Sequence, residues 1–123
     1  MIAGIGCDIL SVLRMQRLLQ KPSFMHRVFS PEERAYMDAK GVGRAQTAAG
    51  IFCAKEAYAK ATGQGLSLSL LHKITVVHAA GGQPRFHFAP DAHPGGHFFL
   101  SIAHESGMAI AFVVWEKETV CQN

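Results

Sequence analysis

"RAQTAAGIFCAKEAYAKATGQG", residues 44–65, contains the longest helix-forming run of the chain and decides its fold. Alanine is the strongest helix former, and this stretch is rich in alanine. Gly63 and Gly65 end the run, because glycine readily adopts the left-handed backbone conformation that closes many helices. The sequence therefore predicts a long central helix from about Arg44 to Thr62.

A strand is predicted at the start of the chain. In "MIAGIGCDIL", residues 1–10, the odd positions are apolar and the even ones include two glycines and an acid, which is the period of a β-strand. The even face carries no side chain at Gly4 and Gly6 and then presents Asp8. Another backbone or a ligand therefore has room to lie beside that carboxylate.

Two shorter helices are predicted between this strand and the long helix. Ser11 is a suitable cap for a helix over 12–20. "SPEE" at 30–33 supplies a Ser cap, a Pro at the first helical position and a Glu three residues after the cap. A second helix should begin there and end near Gly41.

The chain after the long helix is read as strands. Four segments are rich in β-branched and aromatic residues and are separated by turn signals: 72–78, 84–89, 97–104 and 108–116. Early helices and late strands indicate an α+β fold, with the long central helix packed on a mainly antiparallel sheet that the first strand closes. We expect one domain over residues 1–123.

Composition excludes several classes of protein. Net charge is only +3, yet seven of the twelve Lys and Arg residues lie between positions 14 and 44. This regional basicity favours one acidic partner surface over general nucleic-acid binding. The start of the chain lacks a signal-peptide pattern, and no segment has the ~20 apolar residues of a membrane span. A soluble protein without membrane attachment is expected.

The cysteines and histidines do not form a metal-binding pattern of their own. Cys7, Cys53 and Cys121 are odd in number and far apart, which suggests neither a disulfide framework nor a zinc site and favours a reducing cytoplasm. His93 and His97 are four residues apart, but the intervening Pro-Gly-Gly rules out a helical pair, and no third zinc ligand stands at a recognisable spacing.

Charged residues suggest a site on the long helix. Glu56 and Lys60 lie one turn apart, and as a surface ion pair they would contribute only ~0.2–0.5 kcal/mol. Together with Asp8, however, they would give two carboxylates and an ammonium group, a set that holds a hard cation and the phosphates bound to it. His104 ends an apolar strand just before the turn "ESG", which fits either a ligand contact or a structural histidine.

Three separated stretches resemble one family: "GIGCDILSVLR" at 4–14, "FCAKEAYAKATGQG" at 52–65 and "LSIAH" at 100–104. They are similar to the motifs of the holo-acyl-carrier-protein synthases, which are 4′-phosphopantetheinyl transferases, and "GGQP" at 81–84 resembles a turn of the same family. The resemblance covers nearly the whole chain. It implies transfer of the 4′-phosphopantetheine group from coenzyme A to a serine of apo acyl carrier protein, with release of adenosine 3′,5′-bisphosphate and with Mg²⁺ as cofactor.

The resemblance also implies roles for individual residues. Asp8 and Glu56 match the metal ligands, Glu56 and Lys60 the catalytic residues, and Lys60, Gly63 and His104 the residues that bind coenzyme A. A homotrimer with the active site between subunits is expected. The basic stripe, by which we mean Arg14, Arg17 and Lys21, is then either a solvated helix face or the docking surface for the acidic carrier protein.

One position departs from the family pattern. Ile51 stands where the family usually has an arginine before the motif Phe, so a guanidinium that would meet phosphate is absent, and His104, Arg44 or a residue of a neighbouring subunit are the possible substitutes. The proton of the attacking serine would pass to a metal-polarised water or to Glu56. The competing interpretation is a non-catalytic α+β module that binds an acidic protein or a nucleotide, and the presence of both Asp8 and Glu56 favours the enzyme.

Overall fold

The computed structural model describes residues 1–118, so Cys121 lies outside the described residues. Within these residues, five helices and five strands follow one another in the order β1, α1 to α5, β2 to β5, with a 3₁₀ turn at Gly41–Gly43 before α4. The helices are α1 (Val12–Leu18), α2 (Pro22–Val28), α3 (Pro31–Asp38), α4 (Arg44–Thr62) and α5 (Leu68–Lys73). The strands are β1 (Ile2–Ser11), β2 (Ile74–His78), β3 (Pro84–Phe88), β4 (His97–Glu105) and β5 (Met108–Glu116).

Helix α4 forms the centre of the molecule, with the bounds that the sequence predicts. It ends at Gly63, which has a left-handed φ of 73°. Strand β1 packs directly on this helix, because a Cβ at Gly4 would overlap the carbonyl oxygen of Ala61 and one at Gly6 that of Ala57. The glycine face of β1 therefore lies against another backbone, and this close approach brings the next even residue, Asp8, to the side of α4.

Two antiparallel sheets pack on α4. The first has the order β1–β5–β4, so the first strand pairs with the last described one, and the second is the hairpin β2–β3. Aromatic rings join the second sheet to the first: Tyr58 of α4 lies 5.4 Å from Phe86 and 5.0 Å from Phe98, measured between ring centroids. The predicted α+β fold is confirmed, with the strands divided between two sheets.

The capping box predicted at the start of α3 is present. Ser30 N–H donates to Glu33 Oε1 at 2.9 Å, and Glu33 N–H donates to Ser30 Oγ at 3.2 Å. Glu33 also accepts a hydrogen bond from Lys55 Nζ at 2.6 Å, and both side chains are fully buried. Burial lowers the pKa of Lys55, and the charge of Glu33 partly offsets that effect.

This buried ion pair has partners on every side. Lys55 Nζ also donates to the carbonyl oxygens of Val28 and Leu71, at 2.9 and 3.1 Å. Glu33 Oε2 accepts from the N–H of Val76 at 2.8 Å. A buried charge is costly unless its hydrogen bonds are satisfied, and this pair meets that condition while joining α2, α3, α4, α5 and β2.

Two helices differ from the sequence prediction. The helix predicted over 12–20 ends at Leu18, and Lys21 caps a separate helix, α2, that has Pro22 at its first position. The segment 72–78 is not wholly a strand, because α5 continues through Lys73. The side chain of Ser67 accepts a hydrogen bond from Leu70 N–H at 3.1 Å and so caps α5.

The outer face of the three-stranded sheet is apolar and exposed. The odd residues of β1 point away from α4, and exposed fractions reach 62% for Ile5, 60% for Ile9, 56% for Phe99 and 45% for Phe112. Large apolar side chains lie on all three strands of this face. No helix within residues 1–118 is both long enough and apolar enough to cross a membrane.

Candidate active site

The charged site lies where β1 crosses the C-terminal half of α4. Lys60 Nζ lies 3.3 Å from Asp8 Oδ1 and donates to the carbonyl oxygen of Cys7 at 2.9 Å. The ion pair that Lys60 forms in the described part of the chain is thus with Asp8 and not with Glu56, its neighbour one turn earlier. The strand offers a carboxylate and a carbonyl together, which sequence spacing along α4 does not show.

Glu56 shares the electrostatic environment of Asp8. Partial burial raises the pKa of Glu56, the negative charge of Asp8 raises it further, and the Lys60 ammonium lowers it in part. The buried thiol of Cys53 also feels both carboxylates: burial, followed by the charges of Asp8 and Glu56, raises its pKa to about 12. The two acids therefore lie close enough to repel each other.

This donor set fits magnesium better than zinc. Within residues 1–118 there is no cluster of three or more His, Cys, Asp or Glu side chains arranged to hold a metal ion. Mg²⁺ does not need one, because it binds one or two carboxylates and completes its shell with waters and substrate phosphates. Asp8 and Glu56 supply hard oxygen donors whose mutual repulsion a divalent cation would relieve.

His104 lies at the other end of α4. Its Nε2 is 2.9 Å from the carbonyl oxygen of Gln46, in the first turn of the helix. Gln46 and Lys60 are about 21 Å apart along the helix axis, at 1.5 Å per residue. One chain therefore does not bring His104 to the phosphate that Lys60 would contact.

Arg44 and His104, the two residues of this chain considered as substitutes for an arginine at position 51, differ in whether their side chains are free to bind a phosphate. Arg44 Nε donates to Asp38 Oδ1 at 2.8 Å, and its Nη2 contacts the sulfur of Met25, so its guanidinium is engaged with α3 and α2. Ile51 itself is buried. His104 is exposed and has a ring nitrogen free of the contact to Gln46.

The remaining sequence-predicted residues lie outside this charged cluster. Gly63 is the left-handed cap of α4, which explains its glycine independently of any ligand. Arg14, Arg17 and Lys21 are all exposed, the first two on α1 and the third at the start of α2.

One cleft lies apart from the charged cluster. It has a volume of about 840 Å³ and lies between β3 and β4, where its lining includes the aromatic side chains of Phe86, Phe88 and Phe98. Arg85 and His97 also line it. Asp8, Glu56, Lys60 and His104 are not among its lining residues.

Comparison with known proteins decides the family. The family model described as the 4′-phosphopantetheinyl transferase superfamily matches residues 4–113. A holo-[acyl-carrier-protein] synthase of Cytophaga hutchinsonii is 35% identical over 95% of this chain and 99% of its own length. The chain belongs to this family. The holo-acyl-carrier-protein synthase family thus inferred from three short motifs is confirmed.

Solved structures of the family share the fold described above. The holo-(acyl-carrier-protein) synthase of Bacillus anthracis, in complex with CoA (3′,5′-ADP), has a TM-score of 0.83 and 34% identity, covering 96% of this chain and 99% of that one. The synthase of Helicobacter pylori, in complex with coenzyme A, has a TM-score of 0.80 and 30% identity, covering 91% and 99%.

All three motifs that identify this synthase family contact α4 or belong to it. The first lies on β1, which packs its glycines against the C-terminal half of the helix, and the third lies on β4, which meets the N-terminal half. Sequence reasoning missed two residues of this arrangement, Lys55 and Gly50. A glycine inside an alanine-rich helix is a usable signal, because glycine costs about 1 kcal/mol relative to alanine there and needs a packing reason.

Proposed function

We propose that this protein transfers the 4′-phosphopantetheine group of coenzyme A to a serine of apo acyl carrier protein, releasing adenosine 3′,5′-bisphosphate. The observation that carries the proposal is the convergence of Asp8, Glu56 and Lys60 where β1 crosses α4, in a chain of the holo-acyl-carrier-protein synthase family. Related structures bind coenzyme A, which supports it as the co-substrate.

Asp8 and Glu56 would hold Mg²⁺, which when bound neutralises the charge of the pyrophosphate oxygens. Lys60 is half-exposed and belongs to the same cluster, so its ammonium is available to balance the charge that develops on the leaving phosphate. Without metal, the same ammonium compensates Asp8. The proton of the attacking serine would pass to Glu56 or to a water polarised by the metal.

The basic stripe would dock the carrier. Arg14, Arg17 and Lys21 are exposed, and α1 begins at Val12, four residues after Asp8, so a carrier bound there would lie near the proposed metal site. Acidic helices of the carrier would meet these three cations. Such attraction accelerates encounter and weakens as salt screens it over ~8–10 Å.

A homotrimer would complete the site. The apolar outer face of the β1–β5–β4 sheet is suited to bury against other subunits. In such a trimer, one coenzyme A would contact Lys60 of one subunit and His104 of its neighbour, two residues that lie far apart along α4 in a single chain. The free thiols of Cys7 and Cys53 suit a reducing cytoplasm.

Mass spectrometry of a purified apo carrier tests the function. Incubation with the protein, coenzyme A and Mg²⁺ should add the mass of one phosphopantetheine group, and omission of Mg²⁺ should abolish the addition. Asp8→Ala should behave as the reaction without metal while keeping the far-UV spectrum of the folded protein. Binding of the carrier without any mass increase, under conditions in which an established synthase modifies it, would favour the non-catalytic module instead.

A further inference from the structure

Two helix ends meet at the buried ammonium group of Lys55. Its Nζ donates to the carbonyl oxygen of Val28, the last residue of α2, at 2.9 Å. It also donates to the carbonyl oxygen of Leu71, in the last turn of α5, at 3.1 Å. The last carbonyls of a helix have no partner within the helix and lie at the negative end of its dipole. One lysine therefore caps two short helices at once.

Glu33 supplies the opposite charge in the first turn of α3. Its Oε1 accepts from Lys55 Nζ at 2.6 Å and from Ser30 N–H at 2.9 Å, and its Oε2 accepts from the N–H of Val76 at 2.8 Å. The start of a helix is the positive end of its dipole, so a carboxylate is favourable there. We call Lys55 and Glu33 together the helix-end pair. Each charge of the pair lies at the kind of helix end that stabilises it.

The helix-end pair is directional, whereas apolar packing is not. An ammonium group has three hydrogens, and the contacts of Lys55 Nζ with two carbonyls and one carboxylate use all of them. The hydrophobic effect has no direction. Replacing a buried ion pair with apolar side chains of similar volume is often neutral or stabilising. The positions that the pair fixes therefore explain it better than its contribution to stability does.

Helix α2 depends on such an anchor. It has seven residues, and a helix this short is not stable on its own. Phe24 of α2 lies 6.3 Å from Phe52 of α4, measured between ring centroids, but rings in contact can slide past each other. Arg44 contacts the sulfur of Met25, which is a weak hydrogen-bond acceptor. The hydrogen bond from Lys55 ties the backbone of the last turn of α2 to α4.

The same turn of α4 carries this anchor and a proposed metal ligand. Lys55 holds α2, whose N-cap is Lys21 of the basic stripe, and the next residue along α4 is Glu56. A displacement of α2 would move Lys21 relative to Asp8 and Glu56 without altering either carboxylate. Misplacement of a reacting group by about 1 Å can lower a rate by about 10²-fold. The anchor is therefore in a position to affect the reaction without touching a substrate.

We propose that the helix-end pair positions the carrier protein, by holding α2 and its Lys21 at a fixed place relative to Asp8 and Glu56. This inference rests on the proposed function, because it requires a carrier at the basic stripe. Lys55 and Glu33 are fully buried, so they are positioning residues rather than binding residues. Arg17 of the same stripe lies on α1, whereas the pair bonds to α2, α3, α5 and β2 in the described chain.

The pair is best removed as a unit. Lys55→Met alone would leave a buried carboxylate without its cation, which is strongly destabilising. Glu33→Gln combined with Lys55→Met removes both charges and nearly keeps the size of both side chains. The amide oxygen of the glutamine can still accept from Ser30 N–H in the capping box. We call this combination the uncharged double variant, and we expect it to fold.

Amide hydrogen exchange tests the positioning without turnover. In the wild-type protein the last turn of α2 should be protected. In the uncharged double variant, exchange in residues 22–29 should accelerate at least about tenfold while residues 2–11 keep their protection, because only the first segment loses its anchor. Three results would overturn the proposal: a wild-type α2 that exchanges like an unstructured peptide, no acceleration in the variant, or equal acceleration in both segments.

A comparison within the basic stripe tests the effect on the carrier. Lys21→Glu, at the start of α2, and Arg17→Glu, on α1, should each raise the KM for the carrier several-fold in the wild-type background. In the uncharged double variant the effect of Lys21→Glu should shrink to within about twofold, because α2 no longer holds that charge in place, whereas the effect of Arg17→Glu should persist. Effects that are equal in the two backgrounds, or a loss of both, would overturn the proposal.

Nucleotide binding separates this inference from the proposed function. Adenosine 3′,5′-bisphosphate with Mg²⁺ should bind the uncharged double variant within about twofold of wild type, because Asp8, Glu56 and Lys60 are unchanged. Weaker binding would place the effect at the metal site and overturn the proposal. Absence of transfer by the wild-type protein, together with the expected exchange pattern, would instead count against the proposed function. The affinity for the carrier, measured by calorimetry, would then replace the KM in the comparison of Lys21 with Arg17.

Discussion

The two ends of α4 achieve close contact with a strand in opposite ways. At the C-terminal half the glycines are on the strand, so the backbone of β1 touches the helix backbone and Asp8 comes to the side of Lys60. At the N-terminal half the glycine is on the helix, so Gly50 receives a side chain of the strand, His104. Glycines on the strand allow a close backbone crossing that brings charged side chains together. A glycine on the helix instead leaves room for one ring and fixes its orientation.

The largest effect on activity is expected at the charged end. Glu56→Gln should lower the rate of transfer by at least about 10³-fold, because a metal ligand contributes several kcal/mol to the transition state. Steady-state rates at saturating Mg²⁺ measure the loss. A variant within tenfold of wild type would remove Glu56 from the metal site.

The same variant should stabilise the metal-free protein. The pKa of Glu56 is raised in the folded state, so its contribution to stability is present at low pH and is lost as pH rises through the folded pKa. Above that pKa the ionised carboxylate is a cost that Gln removes, so the Tm of Glu56→Gln relative to wild type should increase as the pH rises from 4 to 8. Added Mg²⁺ should raise the Tm of wild type only. A difference in Tm that does not increase over this pH range would contradict this electrostatic account.

Gly6, where β1 crosses the backbone of α4, and Gly50, which contacts the ring of His104, should differ in their tolerance of an added methyl group. Gly6→Ala pushes against the backbone carbonyl of Ala57, whereas Gly50→Ala pushes against side-chain atoms, the ring of His104 and Cγ2 of Ile102. Overpacking commonly costs about 1–3 kcal/mol, and we expect Gly6→Ala at or above the upper end of that range and Gly50→Ala below it. Urea unfolding gives both values, with Gly43→Ala as the reference. The reverse order would refute the contrast between the two ends.

A smaller effect is expected for Lys60→Ala. The half-exposed ion pair with Asp8 should contribute less than about 1 kcal/mol to the free energy of unfolding. Transfer should nevertheless slow by about 10²-fold, which is a typical loss of rate in enzymes when one preorganised donor to a developing negative charge is removed. A loss of stability without a loss of rate would make Lys60 a structural residue of the β1 crossing.

The smallest effect on the chemical step is expected for the basic stripe. Arg17→Glu with Lys21→Glu leaves both ends of α4 unchanged but reverses the charge facing a carrier. The KM for the carrier should rise several-fold and lose its normal salt dependence, while the KM for coenzyme A stays within about twofold. Equal shifts in both values, or no shift in either, would end the docking hypothesis. Arg14 is left unchanged because it lies nearest to Asp8 in sequence.

Local signals in the sequence predicted a large part of this structure. The bounds of α4 and the capping box of α3 follow from alanine content, glycine caps and the Ser30–Glu33 spacing, none of which depends on distant residues. The family motifs likewise indicated Asp8, Glu56 and Lys60 as one group.

What the sequence did not show depends on contacts between distant segments. The partner of Lys60 is Asp8 because β1 crosses the helix at that turn, a fact that spacing within α4 does not contain. The burial of Lys55 depends on Glu33, twenty-two residues earlier. Strand β1 turns Ile5 and Ile9 outward because the backbone of α4 occupies its glycine face. Helix α5 was missed because its short apolar run has no clear period.

The pairing of β1 with β5 sets an order of events during synthesis on the ribosome. Ser11 of the first strand pairs with Met108 of the last described one, so β1 lacks its neighbour in the sheet until almost all of the described chain has emerged. Until then α4 is the main element against which β1 packs, and the apolar side of the strand stays open to other nascent chains. Substitutions that loosen the glycine crossing should therefore reduce soluble yield in cells more than they reduce the specific activity of the molecules that do fold.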